Sequence, residues 1–175
     1  VSVGANTTSP LANLTGIELH KVSGPHPSGN VGTQIAKLDP INKGEVVWVI
    51  TPQDLVVIGE LLLTGKLNVS RTIALSGSQF SKPAYVTAIS GASIADVTAN
   101  NLNDDNTRII SGNVLSGKEV KADEFLGYYD NQITAIPEGD DYEFFGWNKP
   151  IFNKISTSRA LTFSWLTPKK KYDLN

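Results

Sequence analysis

The chain has 175 residues, 40% of them apolar, with a formal net charge of −2 and no cysteine. That length and composition support one ordinary domain or two small ones with a real core, and the near-neutral charge supplies no basic surface for nucleic acid. The absence of cysteine excludes disulfides, thiolate zinc sites, iron–sulfur clusters and cysteine nucleophiles, which leaves any metal chemistry to His20, His26 and carboxylates.

Taken in chain order, "GIELHKV" (Gly16 to Val22) has the β-branched, partly alternating character of a strand. The stretch "GPHPSG" that follows holds two prolines, two glycines and His26, so it reads as a fixed crossover into a short helix at "VGTQIAKL" (Val31 to Leu38). His26 is a candidate contact residue for a partner; the plainer reading is a hydrogen-bonded loop histidine. "EVVWVI" (Glu45 to Ile50) is apolar without alternation, the pattern of a strand covered on both faces.

The clearest helix is expected over residues 52–64. Thr51 can cap it, Pro52 suits its first position, Asp54 suits its positive end and Gly65 suits a left-handed stop. Its apolar residues cover most of its circumference, which predicts burial on more than one side. On that reading Leu61 is a core residue whose truncation to alanine costs about 2–5 kcal/mol. With "SRTIALSG" as the next strand, the order strand, buried helix, strand predicts a βαβ unit and a parallel, Rossmann-like sheet for roughly the first 70 residues.

Beyond Gly77 the elements shorten. "KPAYVTAI" reads as a strand, "SIADVTANN" as a short helix capped by Ser93 with Asp96 three residues on, and "TRIISGNVL" as another strand. "GYYDNQITAI" and "YEFFGW" flank the turn "PEGDD" as a hairpin. Strands with one short helix across them predict an α+β module of the β-grasp kind. The fold class is therefore mixed α/β and α+β: residues 1–70 as part of a Rossmann-like domain, 71–126 as an SLBB-like β-grasp domain, and 127–175 as a hairpin leading into a carboxyl-terminal region.

Motifs for chemistry are missing. "GELLLTGKL" fails as a phosphate-binding loop, because Gly59 stands one residue too far from Gly65 and Leu67 occupies the magnesium-binding hydroxyl position. Gly24, Gly29 and Gly32 do not make a dinucleotide fingerprint, and no nucleophile elbow occurs. The acidic residues Asp123, Glu124, Glu138, Asp140, Asp141 and Glu143 fall at turns, where a solvated surface is the expected reading. Three N-x-[ST] triplets, at Asn6, Asn13 and Asn68, would matter only in a secreted chain. No catalytic, cofactor-binding or metal-ligating residue is assigned. The loop "SGNVLSGKE" places the aliphatic pair Val114 and Leu115 at a tip, where it is either tucked into the core or reserved for a partner.

No secretory signal stands at the amino end, and the apolar run Leu55 to Leu63 is too short to span a bilayer and carries Glu60. A start at Val1 and the absence of methionine predict a portion of a longer polypeptide. Together and in register, "GPHPSGNVGT", "VVWVITPQDLVVIGELLLTGKL", "RTIALSG", "ISGASIADV", "RIISGNVLSG" and "EFFGW" closely resemble the A subunits of the sodium-translocating NADH:quinone oxidoreductases of bacterial respiratory membranes. The resemblance runs from about Gly24 to Arg159, and "SWLTPKKKYDLN" matches least well.

That resemblance implies a peripheral protein on the cytoplasmic face of the inner membrane, with a scaffold or interaction role near the quinone end. The implied partners are the other subunits, especially the membrane-embedded B subunit, with quinone as a further contact. It also implies that FMN, FAD, riboflavin, an iron–sulfur cluster and NADH serve the parent complex while this portion holds none of them. Two other classes stay open on the residues alone: a secreted β-rich glycan-binding module, which the Asn, Ser, Gly and Thr content suggests, and a free-standing enzyme.

Overall fold

The computed structural model describes residues 1–139, 142–150 and 156–166. The chain forms two compact units, Val1–Gly59 and Glu60–Asn175.

In the first unit, β1 (Ser2–Gly4) and β2 (His20–Val22) pair in parallel, with Ser2 opposite His20 and Gly4 opposite Val22. A 3₁₀ turn at Pro10–Asn13 lies on the connection, with Ser9 Oγ accepting from the Leu11 N–H. Helix α1 (Val31–Leu38) begins and ends where its sequence pattern puts it, with Lys37 in the last turn to complement the helix dipole. Helix α2 (Pro52–Thr64), whose residues belong partly to each unit, likewise keeps its expected bounds. Thr51 Oγ1 accepts from the Asp54 N–H at 3.2 Å and donates to the Asp54 carboxylate at 2.7 Å. At the other end Gly65 adopts φ +69° and its N–H closes on the Leu61 carbonyl at 2.8 Å, the left-handed stop that a residue with a Cβ would resist.

Two expectations for this region are corrected. "EVVWVI" is not a strand, and all five apolar residues from Val46 to Ile50 are exposed, Trp48 at 86%. The βαβ unit built on it is not formed, and "SRTIALSG" joins a different sheet. Helix α2 buries no residue, and Leu63 is 88% exposed. The physical reason is common to both: an apolar run without alternation is a statement about covering partners, and among the described residues no strand pairs with residues 45–50. Leu61 is 39% exposed, so truncating it opens no enclosed cavity and the core-residue penalty does not apply.

The second unit carries a five-stranded mixed sheet in the order β4-β3-β7-β5-β6. Its strands are β3 (Ser70–Ser76), β4 (Ala84–Ile89), β5 (Thr107–Ser111), β6 (Lys118–Val120) and β7 (Gln132–Pro137). The antiparallel pairs β3–β4 and β5–β6 flank β7, which runs parallel to β3 and antiparallel to β5. Helix α3 (Ile94–Thr98) follows β4, started by Ser93, whose Oγ accepts from the Asp96 N–H. This is β-grasp order, as the strand and helix pattern predicts.

The core follows from alternation. Along β3 every second residue is buried, and Ile73 and Leu75 meet Phe80, Ile94, Ile109, Val120, Leu126, Ile133 and Ala135 in one cluster. Among the described residues of "YEFFGW" there is no strand, so the second arm of the hairpin predicted across "PEGDD" is not formed. β7 takes β3 and β5 as neighbours, while Tyr142 to Trp147 passes through a turn into a 3₁₀ helix at Gly146–Asn148. Asp140 and Asp141 of "PEGDD" lie outside the described residues.

Candidate functional site

The three residues singled out in the sequence fall in different units: His26 in the first, Val114 and Leu115 in the second. The loop around His26 is tied to itself. Ser28 Oγ donates to the Gly24 carbonyl at 2.9 Å, the Ser28 and Asn30 N–H groups reach Pro25 and Pro27, and Gln34 Nε2 reaches the Ser28 carbonyl at 3.2 Å. These bonds give the segment a defined shape beside a polar recess of about 500 Å³, lined by Gly4, Ser23, His26, Ser28 and Gln34 among others. The His26 side chain is exposed and makes no hydrogen bond among the described residues. His20 lies 3.2 Å from the Glu18 carboxylate, two residues away, a partner that the sequence reading passed over.

A second recess in the same unit is apolar. It measures about 550 Å³ and is walled by Ile35 and Leu38 of α1, Val47, Val49 and Ile50 of the extended run, and Leu55 of α2. Aliphatic walls of this kind take up apolar groups, and Gln34, Asp39 and Thr51 add polar groups to the same recess.

In the second unit the loop after β5 is a rigid mount. Asn113 Oδ1 accepts from the N–H groups of Leu115 (2.8 Å) and Ser116 (3.0 Å), and the Gly117 N–H returns to the Asn113 carbonyl (2.8 Å). Gly112, at φ +96°, and Gly117 allow the tight return. The turn holds Leu115 out at 89% exposure and Val114 at 58%, so neither side chain is tucked inward. The sequence carries a signal for this turn, Ser111-Gly112-Asn113 before the aliphatic pair and Ser116-Gly117 after it.

Nearby polar groups position the sheet. Ser111 Oγ donates to Asp130 at 2.5 Å and accepts from the Gly127 N–H at 2.9 Å, which fixes the approach to β7. Arg108 of β5 grips Glu138 just past β7 through Nε at 3.2 Å and Nη2 at 2.5 Å. Hydrogen bonding from Arg108, with its charge, holds the Glu138 carboxyl below the usual glutamate range. A lowered folded-state pKa means the pair contributes stability above the ordinary glutamate pKa of about 4.3 and loses it as pH falls through the lower folded value. Urea midpoints should therefore decline below about pH 4.3, and Glu138→Gln should flatten that part of the profile. An unchanged acid limb in the variant would refute the assignment.

Among the described residues no group of three or more His, Asp or Glu side chains could hold a metal ion, and no helix is long and apolar enough to cross a membrane.

Comparison with known proteins matches residues 1–67 to the family model described as the NqrA second alpha/beta domain, and residues 72–122 to the NQRA C-terminal domain, of SLBB type. Three relatives are each named as the A subunit of a Na(+)-translocating NADH-quinone reductase. The protein of Neisseria meningitidis serogroup B is 41% identical over 170 residues, which is 97% of this chain and 38% of the relative. That of Rhodopirellula baltica is 40% identical over 166 residues, 94% of this chain and 36% of the relative. That of Pasteurella multocida is 39% identical over 158 residues, 90% of this chain and 35% of the relative. The chain thus spans well under half the length of the curated relatives it matches.

Proposed function

The chain belongs to the NqrA family, of which it carries the second alpha/beta domain and the SLBB-type domain, and from that premise we propose that it is an attachment portion of a sodium-translocating NADH:quinone reductase. In this reading it docks other subunits near the quinone end, above all the membrane-embedded B subunit, from the cytoplasmic face of the inner membrane. The electron carriers FMN, FAD, riboflavin and an iron–sulfur cluster, together with NADH, are held elsewhere in the complex.

The observation that carries the proposal is the loop Asn113 to Gly117. Two aliphatic side chains are held in water by a turn whose hydrogen bonds fix the backbone. Exposed apolar surface on a rigid mount adds nothing to folding and is the usual raw material of an interface.

Replacing Val114 and Leu115 together by serine should change the stability of this chain by less than about 1 kcal/mol. The same double change in the full-length protein should weaken its retention in the purified complex. Full retention with normal quinone reductase activity would refute the docking role, and a large loss of stability would show that the pair supports the fold.

The placement of the carriers has its own test. Calorimetric titration with FMN, FAD and NADH should show no binding at or below about 1 μM, roughly −8 kcal/mol, since neither a phosphate-cradling glycine loop nor a thiol occurs in the sequence. Saturable micromolar binding of any of the three would overturn it.

A further inference from the structure

The two edges of the five-stranded sheet are treated differently. The β6 edge is three residues long and carries Lys118 and Glu119, the short and charged form by which proteins discourage strand pairing. The β4 edge is six residues long, "AYVTAI", with no charge, proline or glycine within it, and Tyr85 and Ile89 are well exposed.

Register shows which backbone groups face outward. The Ser90 N–H donates to the Val69 carbonyl at 2.9 Å, one step beyond the pair Ser70–Ile89. In an antiparallel ladder, hydrogen-bonded positions alternate. Ala84, Val86 and Ala88 therefore spend their N–H and C=O groups on β3, while Tyr85 and Thr87 turn theirs to the open edge, as Ile89 does its N–H; the Ile89 carbonyl accepts from the Ala92 N–H at 3.1 Å. Among the described residues no strand pairs with that edge.

Beside the edge lies a groove of about 410 Å³ between β4 and α3, lined by Val86, Ala88, Ile89, Ala92, Asp96 and Val97 with two small hydroxyl residues. Its floor is aliphatic, and Asp96 is its one charged side chain among the described residues.

We propose that this edge is a strand-addition site for an extended segment of a partner protein, with apolar side chains at alternate positions over the β4–α3 groove and a basic residue opposite Asp96. Main-chain bonds to Tyr85, Thr87 and Ile89 supply affinity, and the groove and Asp96 select the sequence. A second copy of this chain is a poorer occupant, because its own β4 brings no basic residue to Asp96. The inference goes beyond the attachment role proposed above and does not rest on it.

The test uses the whole chain, isotopically labelled for NMR, and an acetylated eight-residue peptide alternating isoleucine and lysine. The expected result is a saturable shift of the Tyr85, Thr87 and Ile89 amides, with slowed hydrogen exchange at those positions. The same peptide methylated on every backbone amide should bind at least tenfold more weakly. So should the original peptide to Thr87→Pro, a variant that removes an outward N–H and leaves the β3–β4 ladder its bonds. Four results would overturn the proposal: largest shifts elsewhere in the chain, equal binding by the methylated peptide, equal or tighter binding by an isoleucine–glutamate peptide, or edge shifts that appear on concentrating the protein alone. The last of these would give the edge to a second copy. The methylated peptide keeps the test decisive if Thr87→Pro fails to fold.

Discussion

Ile73→Ala is expected to cost about 2–5 kcal/mol of folding free energy. Ile73 is fully buried at the centre of β3, with Ile94 of α3 and Ile133 of β7 in the same cluster. Removing three carbons there loses their transfer energy and leaves a void between the sheet and the helix. The surrounding strands are fixed by their ladders, so the void closes only in part. Urea denaturation of the variant, with the slope unchanged, reads the loss directly. A shift of the midpoint worth less than about 1 kcal/mol would mean that the core lies elsewhere.

Gly77→Ala should be comparably damaging by a different route. Gly77 ends β3 at φ +105°, and a Cβ built there would sit 2.8 Å from the carbonyl carbon of Ala135, and closer still to its oxygen. That oxygen already accepts from the Gln79 N–H at 3.1 Å. The substitution strains the backbone by about 1–3 kcal/mol and forces β7 away from β3 at roughly another 1–3 kcal/mol. Thermal unfolding should show a marked fall in Tm. Gly29→Ala, where φ is ordinary and nothing stands within 4 Å, is the matched control. Equal Tm values for the two variants would refute the close approach.

What the sequence made legible was whatever depends on near neighbours. Thr51, Pro52 and Gly65 set both ends of α2, Ser93 set the start of α3, and "SRTIALSG" marked the strand β3. Such signals act over a few residues, so they survive whatever the rest of the chain does. Burial of "EVVWVI" and of α2 was not legible, because it depends on surfaces that no local pattern specifies. The second arm of the expected hairpin failed for a related reason. "YEFFGW" is rich in aromatic strand-formers, but β7 already has β3 and β5 on its two sides and no edge remains for a third neighbour. At the loop Asn113 to Gly117 the aliphatic pair was visible, whereas its outward direction depends on the closed turn, in which Asn113 Oδ1 accepts from the Leu115 and Ser116 N–H groups.

The position of β7 bears on how this unit comes into being on the ribosome. Among the described residues it is the last strand in the sequence, the central one in space and the one that joins the β3–β4 and β5–β6 pairs. Until residue 137 has left the exit tunnel, the nascent chain holds two separate hairpins, each marginal by itself in water, with Ile73 and Ile109 facing no common strand. The span matched to the SLBB-type domain closes at residue 122, before that strand begins. A polypeptide ending there would carry most of the recognisable signature of the domain, yet lack the strand that lets it fold cooperatively.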